Sequence, residues 1–232
     1  SDAKVGSYTG TMAGGAYAYD SMLYYPMYYT TNDVFVYGAP TSSIPGRYAQ
    51  LGNYDATSRD RLVRFLDNHD NPRFLSSGLA NQDAARLRTA LVFHLTSRAV
   101  PCLYYGTEQE FDGGNDPYDR EDMFDGQWEY GPSLGDDFDE ASPMFGHTQS
   151  LLELRRLYPA LRRGSQVERL SSGSSGIYAY SRVDGAQEVL VVLNTSNTAK
   201  NAINLPTTWT SGTQLTNLLD ASQTWTVEPA GT

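Results

Sequence analysis

Two short, continuously apolar runs bracket the clearest helical pattern in the chain, and that order constrains the fold more than any other feature. The first run lies in LVRFLDNHD, residues 62–70, and the second is AVPCLYYG, residues 99–106. Both have the length of a strand. Between them, in NQDAARLRTALVFHLTS, Ala84, Leu87, Leu91 and Leu95 recur at three- and four-residue steps, and Asn81 stands where it could cap the helix. A continuously apolar strand is buried on both faces, as in a parallel sheet covered by helices. On this reading Cys102, the only cysteine, is a small buried hydrophobe, and neither an internal disulfide nor a cysteine-based metal cluster can form.

The flanking segments extend the pattern. SMLYYPMYY is a short aromatic run leading into a helical pattern over Tyr28–Tyr37, with a turn expected at GAPTSSIPG. The stretch from Gly6 to Gly15 reads as loop. MFGHTQSLLELRRLYPAL repeats the helical period and is stopped near Pro159. After Gly164 the texture changes. GIYAYSRV, EVLVVLNTS, NAINLP, TQLTNLL and TWTVEP are short strand-like runs divided by turn residues, which predicts an antiparallel all-β domain over residues 164–232. The boundary falls between Arg163 and Ser165.

Composition excludes some functions. With 27 acidic against 17 basic residues the formal net charge is −10, so there is no basic face to neutralise phosphates and no nucleic-acid partner is expected. No apolar run reaches the ~18 residues of a membrane span, so no membrane partner is expected either. Seventeen tyrosines in an acidic chain suit a neutral polar ligand such as a sugar, although acidic side chains also serve simply to keep a surface solvated.

The chemistry concentrates in RFLDNHDNPRF, residues 64–74, where an apolar strand ends in Asp67, Asn68, His69 and Asp70 with no turn residue before Pro72. In parallel α/β folds functional side chains gather at the carboxyl ends of the strands. The next such end carries GTEQEFDGGNDPYDRED. Neighbouring strands lie about 4.8 Å apart, so Asp70 and Glu108 could approach one another, and paired carboxylates at about 5–5.5 Å are the geometry of a retaining glycosidase. Loop carboxylates are more often merely solvated. His94, mid-helix, and His147, near a helix start, read as structural, as do Arg73 and Asp67.

RFLDNHDNPRF resembles the segment of the alpha-amylase family of glycoside hydrolases in which a strand leads into Asn-His-Asp. LTSRAVPCLYYGTEQ resembles the strand that follows, and GGNDPYDRE the substrate-binding loop after it. The resemblance implies the C-terminal part of a (β/α)8 TIM barrel, about strands six to eight with their helices, over residues 1–163. The antiparallel β domain would follow over 164–232, lacking its last strand. It implies that Asp70 is the carboxylate that orients substrate and stabilises the oxocarbenium-like transition state. His69 would bond hydroxyls of the sugar at the cleavage site, and Asp116 and Arg120 would contact a sugar further along. Glu108 does not match the family's proton donor.

The implied reaction of the parent enzyme is retaining endo-hydrolysis of α-1,4-glucosidic bonds in starch-like glucans, outside the cell. The alternatives are a glucan transferase of the cyclodextrin-forming type and a noncatalytic carbohydrate- or partner-binding module. The family's nucleophile and proton donor lie on earlier strands, so the implied partners are an α-glucan and the N-terminal part of the barrel. A chain with three barrel strands and one stabilising carboxylate is expected to be neither a stable monomer nor active alone. No metal site is expected in this segment. Calcium belongs to the complete enzyme, with DGGNDPYDRED as the one stretch here rich enough in oxygens to hold a cation.

Overall fold

In the computed structural model of the protein the residues described are 1–10, 18–124, 138–202 and 204–229. A short helix α1 (Asp2–Gly6) precedes α2 (Tyr25–Phe35) and α3 (Ser43–Tyr48). Strand β1 (Val63–Arg64) then leads through α4 (Ala84–Thr96) to β2 (Val100–Pro101), and α5 (Pro143–Leu157) and α6 (Pro159–Arg163) follow. Residues 11–15 of the expected N-terminal loop lie outside the described residues, and the expected turn at GAPTSSIPG closes into α3.

The parallel pairing is as expected: Val63 faces Val100 and Arg64 faces Pro101. Leu23 bridges Val63 on the other side, also parallel, so three extended segments run side by side and the helices α2 and α4 connect them in turn. The paired stretches are much shorter than the apolar runs. The ladder ends at the bond from Cys102 N–H to Arg64 O (2.8 Å), and Pro101 has no N–H to extend it. Among the described residues β2 is paired on one side only, and Val100 and Cys102 stand exposed, so Cys102 is not the buried hydrophobe that its apolar run suggests.

Helix α4 forms where the apolar period predicts it, but Asp83 caps it, its carboxylate accepting from Arg86 N–H at 3.0 Å, and Asn81 does not. Leu87, Leu91 and Leu95 of the predicted stripe are buried and Ala84 half-buried, and Phe93, His94 and Thr96 are buried as well, because α4 packs against α2, α5 and α6 and also against β5. Buried arginines hold these layers in register. Arg64 donates to Ser97 Oγ (2.6 Å) and to His94 O. Arg86 donates to Phe35 O (2.9 Å) and Thr195 O (3.1 Å), and Arg182 to Thr96 O (2.6 Å), Leu161 O (3.1 Å) and Gly164 O (2.8 Å).

Beyond Gly164, β3 (Ser165–Leu170), β4 (Ile177–Asp184) and β5 (Gln187–Asn194) form one antiparallel sheet in that order. β4 and β5 turn at Gly185, whose φ of +59° suits the first position of a two-residue hairpin. β6 (Gln214–Asn217) and β7 (Asp220–Thr226) make a second hairpin, exposed along the whole of β7. Glu188 ties the approach to this hairpin back to the sheet by accepting from Thr208 N–H at 2.7 Å. β3 was not expected, since SQVERL alternates without an apolar run. NAINLP forms no strand in its described residues, and its Ile203 lies outside them. No described helix is long and apolar enough to cross a membrane.

Candidate active site

The polar tail of RFLDNHDNPRF is a turn made by an asparagine. Asn68 Oδ1 accepts from Asp70 N–H (2.9 Å) and from Asn71 Nδ2 (2.7 Å), closing residues 68–71 without glycine or proline. On one side of this turn Phe65 and Leu66 are buried, and Phe65 packs on Tyr25 and Tyr28 with ring centroids 5.0 Å apart in each case. On the other side His69 and Asp70 stand exposed, their side chains 65% and 59% accessible, with His69 Nε2 at 3.6 Å from Asp70 Oδ2. Tyr25 Oη accepts a long bond from Asn68 Nδ2 (3.4 Å) at the edge of the same surface.

Asp67 plays no part in that surface. It is buried, with Oδ2 accepting from Phe74 N–H (3.0 Å) and Oδ1 from Thr107 Oγ1 (3.2 Å). Burial holds its carboxyl above the ordinary value, against the pull of Arg73, and the charge of Glu108 adds to the rise. Glu108, on the 3-10 turn Thr107–Gln109, thus bears on Asp67.

The loop after β2 reaches back to the turn. Arg120 Nε donates to His69 O at 3.0 Å, and its Nη2 lies 3.2 Å from Asp116 Oδ1. His69, Asp70, Asp116 and Arg120 are therefore brought together at the carboxyl ends of β1 and β2. Behind them Arg73 is fully buried. It donates from Nε to Glu121 Oε2 (2.7 Å) and from Nη1 to Tyr105 O (2.6 Å), with its guanidinium 4.0 Å from the Tyr104 ring centroid. Burial raises the Glu121 carboxyl despite Arg73. The remaining histidines are structural: His94 Nε2 meets Cys102 O at 3.1 Å, burial driving its pKa well below the usual value, and His147 Nε2 meets Arg88 O at 3.2 Å.

Sequence reasoning missed Asn68, Tyr25, Glu121 and Asp119. Asn68 carried a signal in the affinity of asparagine for side-chain turns; Glu121 carried none, since its partner lies 48 residues away. Asp119 is wholly buried and neither carboxylate oxygen has a hydrogen-bonding partner among the described residues beyond its own nearby amide. Burial raises its carboxyl above 3.8, helped by Asp116 and opposed by Arg120 and Arg73. A proton is then held more tightly folded than unfolded, so the ionised buried group costs stability in full above the folded pKa and not at all below about 3.8. Asp119→Asn is expected to stabilise the protein by about 1–3 kcal/mol at pH 7, with the gain fading as pH falls toward 3.5, as urea midpoints at the two pH values would measure.

Among the described residues no group of three or more His, Cys, Asp and Glu side chains is gathered to hold a metal. In the 112–122 loop Glu121 is committed to Arg73 and Gly113, and Asp116 to Arg120.

Residues 19–149 match the family model described as alpha amylase, catalytic domain. A beta/alpha-amylase of Paenibacillus polymyxa is 34% identical over 223 residues, which is 94% of this chain and 17% of that protein. A cyclomaltodextrin glucanotransferase of Bacillus licheniformis is 38% identical over 152 residues, 65% of this chain and 19% of that protein. The chain thus spans less than a fifth of the length of these curated relatives. An Anoxybacillus alpha-amylase of known structure superposes with a TM-score of 0.78 at 22% identity, covering 99% of this chain and 47% of that one, which shows the likeness of fold.

Proposed function

The chain belongs to the alpha-amylase family, and from that premise we propose that it carries one wall of the active site of an enzyme that hydrolyses internal α-1,4-glucosidic bonds in starch-like glucans with retention. Residues 1–163 are then the C-terminal portion of the (β/α)8 barrel, and 164–232 the β domain that follows. The change from α6 to β3 across Gly164 supports that division. The observation that carries the functional reading is the meeting of two loops: Arg120, paired with Asp116, holds the backbone of His69 beside Asp70.

In this reading Asp70 offers a full negative charge, 59% accessible, to the positive charge that develops at the anomeric carbon. His69 donates to hydroxyls of the same sugar. Asp116 and Arg120 supply an acceptor and donors to a sugar one or more units away, so that binding there orients the bond to be broken. Retention needs two further carboxyl groups, one to attack the anomeric carbon and one to protonate the leaving oxygen. They come from parts of the parent protein outside these residues. A polymeric substrate places the reaction outside the cell.

The similarity to a cyclomaltodextrin glucanotransferase favours a second reading, in which a sugar hydroxyl replaces water as the acceptor and cyclic products form. Brief incubation of the full-length protein with soluble starch separates the two, since linear oligosaccharides support hydrolysis and cyclic ones transfer. The 232-residue chain alone is expected to release no reducing ends, because one stabilising carboxylate supplies neither nucleophile nor acid. Turnover by verified 232-residue material would overturn the assignment of Asp70.

A further inference from the structure

We infer that the buried pair Arg73–Glu121 is a positioning device, which fixes the aim of His69 and Asp70 by locking the loop after β2 to the turn after β1. The inference rests on the reading of those two residues given above. The side chains of His69 and Asp70 are mostly exposed, and among the described residues they approach one another at 3.6 Å. Their direction is therefore set by the backbone of the turn. That backbone is held from one side by Asn68, and from the other by Arg120 Nε on His69 O at 3.0 Å.

Arg120 is next to Glu121, and Glu121 belongs to a closed cycle. Arg73 Nε donates to Glu121 Oε2 (2.7 Å), Gly113 N–H donates to Glu121 Oε1 (2.6 Å), and Arg73 N–H donates to Gly113 O (3.0 Å). Each of the three members holds the other two. The cycle has no slack at Gly113, where a Cβ would lie 1.7 Å from Tyr118 O. Tyr105 braces it twice, accepting from Arg73 Nη1 at 2.6 Å and donating its hydroxyl to Glu121 O at 2.7 Å. The rings of Tyr104, Tyr105 and Phe111 lie 4.0, 4.9 and 5.2 Å from the guanidinium carbon, so the fork can neither rotate nor withdraw.

A buried ion pair gains little stability over apolar side chains of the same size. Its distinguishing property is direction, since a planar guanidinium meets a carboxylate and a carbonyl at fixed angles, which a lysine cannot do. Glu121 is next to Arg120 in the chain, so a shift of the pair reaches His69 through the bond from Arg120 Nε to His69 O.

The test uses the full-length protein and compares Glu121→Gln, Arg73→Lys, Arg120→Ala and the double variant Glu121→Gln/Arg120→Ala on a soluble α-glucan, well below each melting temperature. A displacement near 1 Å costs up to about a hundredfold in rate, so kcat is expected to fall by about ten- to a hundredfold in Glu121→Gln and Arg73→Lys. Because the clamp acts through Arg120, the double variant is expected to be little slower than the slower single variant. An unchanged kcat with only a lowered melting temperature would overturn the inference, as would effects that multiply in the double variant, or failure of both clamp variants to fold. Asp70→Asn serves as the separate control: if it retains full kcat, the reading of the site itself is wrong, whereas its loss of activity beside unaffected clamp variants removes the clamp alone.

Discussion

Asp70→Asn in the full-length protein is expected to lower kcat on soluble starch by about 10²–10³-fold, the loss typical of removing one preorganised group aimed at developing charge. The substitution keeps the shape of the side chain and removes only its charge. In the ground state the sugar carries no charge, so KM is expected to change little, and the deficit appears where the oxocarbenium-like character does. The fold should not register the change. Asp70 is 59% accessible and, among the described residues, its carboxylate has no partner closer than His69 at 3.6 Å, while the turn is held through the Asp70 backbone by Asn68. Initial rates and melting temperatures from one preparation check both halves. A kcat within about threefold of the parent, far short of the loss expected for such a group, would reject the proposed role.

The turn is held by a local bond, from Asp70 N–H to Asn68 Oδ1, and features fixed by such local interactions are the ones a sequence reveals. The helices were legible because their apolar period is local: α4 and α5 lie where AARLRTALVFHLT and MFGHTQSLLELRRL, respectively, repeat. The order strand, helix, strand was legible for the same reason. The lengths of the strands were not, because pairing depends on two chains staying together, and β1 and β2 part after Cys102. The candidate site was named from motifs, and the four residues they supplied lie near one another. What holds them there was not. Arg64, Arg73, Arg86 and Arg182 are buried, against the ordinary placement of arginine, and each donates to acceptors distant in sequence while one of its guanidinium nitrogens stays without a hydrogen-bond partner among the described residues. No local pattern announces such partners. Cys102 failed in the opposite way, since its apolar neighbours suggested a burial that an edge strand does not give.

Phe93 shows most directly how the helical and β regions depend on one another, and Phe93→Ala is expected to cost about 3–5 kcal/mol. The ring is fully buried on α4. It stacks on Phe35 of α2 with centroids 5.5 Å apart, and meets Tyr178 and Tyr180 of β4 edge-on at 6.1 and 6.2 Å. The Arg64 guanidinium of β1 lies 5.3 Å from its centroid. Truncation removes these contacts together and leaves a hole that its walls cannot close. Tyr180 is tied by its hydroxyl to Thr96 Oγ1 at 2.5 Å, and Arg182 ties the same strand to Thr96 O at 2.6 Å, so collapse would break bonds on both sides. For that reason the cost should fall toward the upper end of the range, and Phe93→Leu, which retains part of the volume, should cost less than half as much. Because the ring belongs to both regions, urea unfolding followed by far-ultraviolet circular dichroism and by the fluorescence of tryptophan, two of whose three residues, Trp209 and Trp225, lie beyond Gly164, should shift in parallel. A β-region transition that stays at the parent midpoint while the helical signal moves would show that the sheet melts by itself, and that Phe93 does not couple the two.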